Sequence, residues 1–267
     1  MKSTMSDPSS IPAPNPLEAR LRIALHALTH LGMLRRKPIA DELTRQVFYT
    51  GASAAGGLVL RGAFIGTVII AYVIDVLGAD AVLAVKLLLW VVLREVGPLL
   101  AAVLVIQRSS TAIATELALM TLSGQITSMR QMRIDPYDLL VVPRVVGVAL
   151  SLVVLTFNVQ LIAVGGGMLL SPFVIDTSLE ELAGHFFELA KPMDLVYSAI
   201  KSLLFGVAIA VVSCYHGLNP PGDSIRAVPK AAISAVMEST LLVMALNATI
   251  AYLAYGLLFF GLIKAQA

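Results

Sequence analysis

Five apolar stretches, near residues 48–75, 84–107, 141–170, 194–215 and 233–262, are each long enough to cross the roughly 30 Å hydrocarbon core of a bilayer. Hydrophilic breaks separate them at 75–80, 108–140, 171–193 and 216–230. The third and fifth stretches exceed what a perpendicular helix needs, so they tilt or end in turns outside the membrane. Hydrophobic residues are 58% of the 267 and charged residues 13%, against about 25% charged in ordinary soluble domains. A soluble core of this size has no room for so much apolar surface. The sequence predicts an all-helical polytopic membrane protein.

The chain ahead of the first span reads in two parts. Residues 1–16 are polar and rich in Pro and Ser, which predicts a disordered tail, and they lack the apolar core of a cleavable signal peptide. Over 17–34, Leu17, Leu21, Leu25, Leu28 and Leu31 recur at steps of three or four, while Glu18, Arg20, Arg22, His26 and His30 lie mostly off that line. This pattern suits a helix lying in the membrane interface, the alternative being a surface helix packed on protein. The organisation expected is a tail at 1–16, an interfacial helix and linker at 17–46, and a five-helix transmembrane domain at 47–267. A short outer helix is expected near 178–190.

Basic residues set the orientation. Lys2, Arg20, Arg22, Arg35, Arg36, Lys37 and Arg45 precede the first span. Arg108, Arg130, Arg133 and Arg144 follow the second, and Arg226 and Lys230 follow the fourth. Lys86, Lys191 and Lys264 lie on the opposite side. The N-terminus is therefore expected in the cytoplasm and the C-terminus outside.

Several function classes find no support. A net charge of +2 gives no basis for a nucleic-acid partner, and Cys214 alone cannot form an internal disulfide or a multi-cysteine metal site. The four histidines are scattered, so no metal site is expected. No constellation of nucleophile, acid and base converges at one depth, so no catalytic residue is predicted. An odd number of spans argues against two inverted halves. Five helices are few to enclose a path for a large substrate, which favours pairing with a second copy.

Charges inside the spans are costly, at about 2.5–3.5 kcal/mol each. Arg94 and Glu95 lie near mid-depth of the second span and, as helix neighbours, point about 100° apart. Each needs a partner from another helix or subunit, and Lys201 in the fourth span is the candidate for Glu95. The charges either shape a path for a polar group or form a static clamp. Asn158, Gln160 and Asn247 are polar residues within spans, for which interhelical hydrogen bonding is the default.

Between spans two and three, Leu122, Ile126, Met129 and Met132 recur at helical spacing and Asp135-Pro136 marks a stop. A single amphipathic helix over about 117–133 is expected on the cytoplasmic side. Its methionines suit either an adaptable protein contact or the lipid headgroups.

Three runs in this order, REVGPLLAAVLVIQRSSTAIATELALM at 94–120, GQITSMRQMRIDP at 124–136 and VVPR at 141–144, resemble the MlaE family of ABC-transporter permeases that work with MCE proteins. Arg94, Glu95, Gly97, Pro98, Arg108, Ala112, Glu116, Gln125, Met132, Asp135, Pro136, Pro143 and Arg144 fit the family pattern. The likeness extends over about 45–260. Departures are Gln107 before Arg108, Gly124 in place of a glutamate, Asn247 at a frequently acidic position, and Arg61 in the Gly-rich first span.

The resemblance implies the permease subunit of a lipid transporter in a bacterial inner membrane. It implies a homodimer carrying two cytoplasmic ATPase subunits on the 117–133 helix, an MCE partner outside, and phospholipid as substrate. Arg94, Glu95, Lys201 and Asn247 are then expected along the lipid path or its charge network. Glu116, Gln125, Met129, Met132 and Asp135 are expected to couple to the ATPase. The chain has no G-x-x-x-x-G-K-[ST] phosphate loop, so ATP and Mg²⁺ would be bound by the partner and no cofactor is expected here. The alternative is an ion-gradient-driven secondary transporter of a hydrophobic or amphiphilic substrate.

Overall fold

The computed structural model describes residues 16–29, 89–170 and 191–266, together with the single positions 68, 86, 184, 186 and 188. Among these residues all regular structure is helical. We label α1 Pro16–Thr29, α2 Leu89–Leu122, α3 Gln125–Gln131, α4 Val142–Leu170, α5 Pro192–Leu218 and α6 Ala227–Gln266. Four segments are long and apolar enough to cross a membrane: Leu89–Leu122, Tyr137–Gly166, Pro192–Leu218 and Ala227–Ala254. They match predicted spans two to five. The stretch at 48–75 lies outside the described residues except for Val68, as do the tail at 1–15 and most of the segment at 178–190.

Two boundaries differ from expectation. The polar residues Gln107 and Arg108 do not end α2; it passes through them in a π-helical turn, Ile106–Ser110, and continues to Leu122. The continuation is held because Ile113, Ala114, Leu117 and Ala118 are buried and the Ser213 hydroxyl lies 2.8 Å from that of Ser110. The helix expected over 117–133 is divided in two. Gly124 adopts φ 76°, where a side chain is strained. The N–H groups of Ser123 and Gly124 close back on the carbonyls of Leu119 and Thr121, a glycine-terminated helix end. Apolar periodicity runs unbroken across this joint, so spacing alone could not reveal it.

α3 ends in a second tight turn at Arg133, φ 59°. Asp135 Oδ1 then accepts the Tyr137 N–H at 2.9 Å, and another π-helical turn, Tyr137–Val141, leads into α4. The aspartate-proline stop falls where the sequence places it.

α5 is the central helix, packed against α2, α4 and α6. Gly206 permits its closest approach: a Cβ there would lie 2.5 Å from Ala149 Cα on α4. Phe205, Ile209 and Cys214 of α5 join Val148, Leu152 and Leu155 of α4 and Val105, Ile113 and Leu117 of α2 in one core. α6 is the least enclosed span, 17% buried against 72% for α4. It turns Ile233, Met237, Leu241 and Tyr252 outward.

α1 docks beside one end of this bundle. Ile23 is buried and Arg20 and His26 pair with the bundle, while Leu21 and Leu25 remain more than half exposed. Arg20, Ile23 and His26 thus form the face of α1 that meets protein.

Candidate functional site

The candidate site is built on a defect in α2. Pro98 has no N–H to donate to the carbonyls one turn back, and Val92–Val96 forms a π-helical turn in which the Gly97 N–H reaches Val92 O. π-turns of this kind often mark functional positions. Two side chains from other helices supply donors to the neighbouring carbonyls. Gln160 Nε2 of α4 donates to Leu93 O at 3.0 Å, and Lys201 Nζ of α5 donates to Arg94 O at 2.9 Å. Gly97 is small because Gln160 passes over it; a Cβ there would lie 2.7 Å from Gln160 Cγ and from Val92 O. The Gly97-Pro98 pair thus opens the helix and admits its substitute donors.

The charges sit on this turn. Lys201, 1% exposed, donates to Glu95 Oε2 at 2.8 Å. Arg94 donates through Nε and Nη2 to Asp194 Oδ1 of α5, at 2.8 and 2.5 Å. The Tyr197 ring lies beside both cations, its centroid 5.7 Å from Arg94 Cζ and from Lys201 Nζ. Below them Gln160 Nε2 also donates to Ser198 Oγ at 2.5 Å, and the Ser202 and Thr156 hydroxyls are 2.9 Å apart. Two cations and two anions make a balanced cluster, so neither sign is left buried alone, which would cost about 3–5 kcal/mol.

The expected contact between Glu95 and Lys201 is therefore present. Asp194, Tyr197 and Ser198 were not singled out in the sequence. Asp194 resembles an ordinary acidic residue in the first turn after Pro192, and only the excess of Arg94 and Lys201 over Glu95 signals that a second anion is needed. Asn247, on α6, joins no hydrogen bond of the cluster; its Oδ1 is buried without a donor among the described residues.

A second set of contacts ties the opposite ends of the helices. Arg144, 2% exposed, lies 3.0 Å from Glu116 Oε2 and donates to Leu140 O at 2.9 Å, joining α2 to the start of α4. Glu116 thus holds a buried arginine in place. Of the other residues expected at the coupling surface, Met129 packs on the core beside buried Ile126, whereas Gln125, Met132 and Asp135 are exposed. Glu238 of α6 pairs with Arg20 of α1 and, at 2.6 Å, with His216 of α5. His26 lies 2.7 Å from Asp138. One ligand atom each of His26, Asp135 and Asp138 falls within 4.8 Å of the others; His26 and Asp138 bond to each other across this junction, and Asp135 accepts the Tyr137 N–H within its own turn.

Neither site pairs a nucleophile with a base placed to activate it. The arrangement can hold helices in register around a broken turn, and its buried polar surface can meet a polar group carried into the membrane.

A family model described as Permease MlaE matches residues 43–253. A probable ABC transporter permease protein of Rickettsia prowazekii is 32% identical over 154 residues, 58% of this chain and 59% of that protein. The chloroplastic protein trigalactosyldiacylglycerol 1 of Arabidopsis thaliana is 33% identical over 146 residues, 55% of this chain and 41% of that protein. The permease protein MlaE of an intermembrane phospholipid transport system of Haemophilus influenzae is 26% identical over 224 residues, 80% of this chain and 83% of that protein. The chain spans less than two thirds of the first two relatives.

Proposed function

This chain belongs to the MlaE permease family, and from that premise we propose that it is the membrane subunit of an ABC transporter that moves phospholipid or a related lipid. The observation that carries the proposal is the balanced cluster of Arg94, Glu95, Asp194 and Lys201 on the π-turn of α2. It places paired charges and a broken helix inside a span, where a headgroup could exchange with internal partners without stranding a buried charge. The Tyr197 hydroxyl, buried with no hydrogen-bond partner among the described residues, is free to donate to a phosphate or ester oxygen.

In this reading two copies pair, a fifth span at 48–75 completes each subunit, and the α1–α3 end lies in the cytoplasm with the C-terminus outside. The exposed residues Gln125, Met132 and Asp135 around α3 meet a separate ATPase that binds ATP and Mg²⁺. Glu116 supports that surface through Arg144. An MCE protein outside exchanges lipid with the permease in the inner membrane. Lipid passes the Arg94, Glu95 and Lys201 cluster, and Asn247 contributes its unpaired carbonyl oxygen from α6.

Purification of tagged protein in mild detergent, with mass spectrometry of what accompanies it, tests this reading. A stoichiometric P-loop ATPase together with bound phospholipid is the expected result. Recovery of the chain alone under several gentle conditions, with transport that follows an ion gradient, would replace it with the secondary-transporter reading.

A further inference from the structure

Beside the charge cluster the same three helices, with Phe186, line a second space that is open on one side, where Leu161 is 76% exposed. A cavity of about 630 Å³ lies between α2, α4 and α5, walled by Leu93, Leu161, Val164, Met168, Phe186 and Leu195. That volume is in the range of small-molecule sites, roughly 300–1,000 Å³. Two polar residues contribute to the lining. Lys191, exposed, stands at the start of α5, and Gln160, 2% exposed, forms part of the wall.

Gln160 is the informative one. Its Nε2 is committed to Leu93 O and Ser198 Oγ, which fixes the orientation of the amide, because a carbonyl oxygen can only accept. Its Oε1 is buried with no donor among the described residues, an arrangement that favours any ligand able to donate there. The wall is open at Gly165, where an added Cβ would meet nothing within 4 Å.

The dimensions suit one lipid tail. From Phe157 to Met168 the α4 wall rises about 16 Å, close to the thickness of one leaflet, half of roughly 30 Å. Gln160 touches Ser198, six residues along α5 from Pro192, which sets it about 9 Å below the Lys191 rim.

We propose that this cavity binds a single-chain anionic amphiphile. Its carboxylate or phosphate meets Lys191, its tail runs along Leu161 to Met168, and a hydroxyl or amide N–H near mid-chain donates to Gln160 Oε1. The site lies within one subunit and uses neither Arg94 nor Lys201. It requires no ATPase and no second copy, so its failure and that of the transport reading are distinguishable.

The test is equilibrium binding of labelled stearate, 10-hydroxystearate and octadecanol to the purified full chain in nanodiscs of zwitterionic lipid. 10-Hydroxystearate is expected to bind about tenfold more tightly than stearate, the effect of one well-placed hydrogen bond. Gly165→Leu, which fills the cavity, should weaken both acids at least tenfold without lowering the unfolding temperature; Leu161→Trp serves the same purpose should that variant not fold. Lys191→Gln should weaken the acids about fivefold and leave octadecanol unchanged. Displacement of the hydroxy acid by lysophosphatidylglycerol would identify a phospholipid-derived ligand, and displacement by stearate alone a free fatty acid; both uphold the site. Stearate binding unchanged in the folded cavity-filling variant, or equal binding of the two acids, would overturn it.

Discussion

Lys201 has almost no contact with solvent, yet both of its acceptors come from α2: the Glu95 carboxylate and the Arg94 carbonyl. Removing either charge leaves the other stranded. Lys201→Met or Glu95→Gln alone should cost about 3–5 kcal/mol of stability, read as a large fall in thermal midpoint in detergent. The double variant should lose less than the sum, with a coupling of about 1–3 kcal/mol. Strict additivity would contradict the pairing. Asp194→Asn should cost less than Glu95→Gln, because Arg94 is 28% exposed where Lys201 is 1% exposed, although nothing in its sequence neighbourhood marks it. Adjacent opposite charges in a span are visible in a sequence, and so is the need for partners. The partner's identity depends on helix rotation, which the sequence leaves open; Lys201 can be named because it is the one lysine or arginine set several residues inside spans three to five, while Asp194 cannot.

The same contrast appears in whole elements. Spans two to five are legible because the bilayer demands long apolar helices. Their ends are less so: α2 continues for fifteen residues beyond its predicted limit at 107, because Ser110 and the buried face of Thr111–Leu122 find partners that the polar Gln107-Arg108 pair conceals. The joint at Gly124 separates α3 from α2. Gly124→Ala puts a side chain at φ 76°, at a cost of about 1–2 kcal/mol, and favours straightening across the joint. In an assembled transporter the expected result is a loss of ATPase stimulation out of proportion to a drop of a few degrees in thermal midpoint; unchanged stimulation would detach α3 from coupling. Gly206→Leu acts elsewhere, forcing α5 away from Ala149. It should destabilise by roughly 1–3 kcal/mol, the range for overpacking, measured as the shift in thermal unfolding.

At the scale of the whole molecule, the two clusters sit at different levels of one helix bundle. The charge cluster binds α2 to α5 around the π-turn, and the Glu116–Arg144 and Glu238 contacts bind the far ends to α4 and α1. In the proposed transporter, a push on α3 reaches the charge cluster along α2, which carries Glu116, the Ile106–Ser110 π-turn and Glu95 in series. Glu116→Gln should therefore reduce lipid movement several-fold while leaving lipid binding within twofold, a split readable by comparing transport with equilibrium binding. The measurement that tests the central claim most directly is transfer of labelled phospholipid by the chain reconstituted with its ATPase in proteoliposomes. ATP-dependent transfer that stops with ADP and is insensitive to collapse of the proton and sodium gradients is the predicted result. Transfer that needs a gradient and ignores ATP would contradict it.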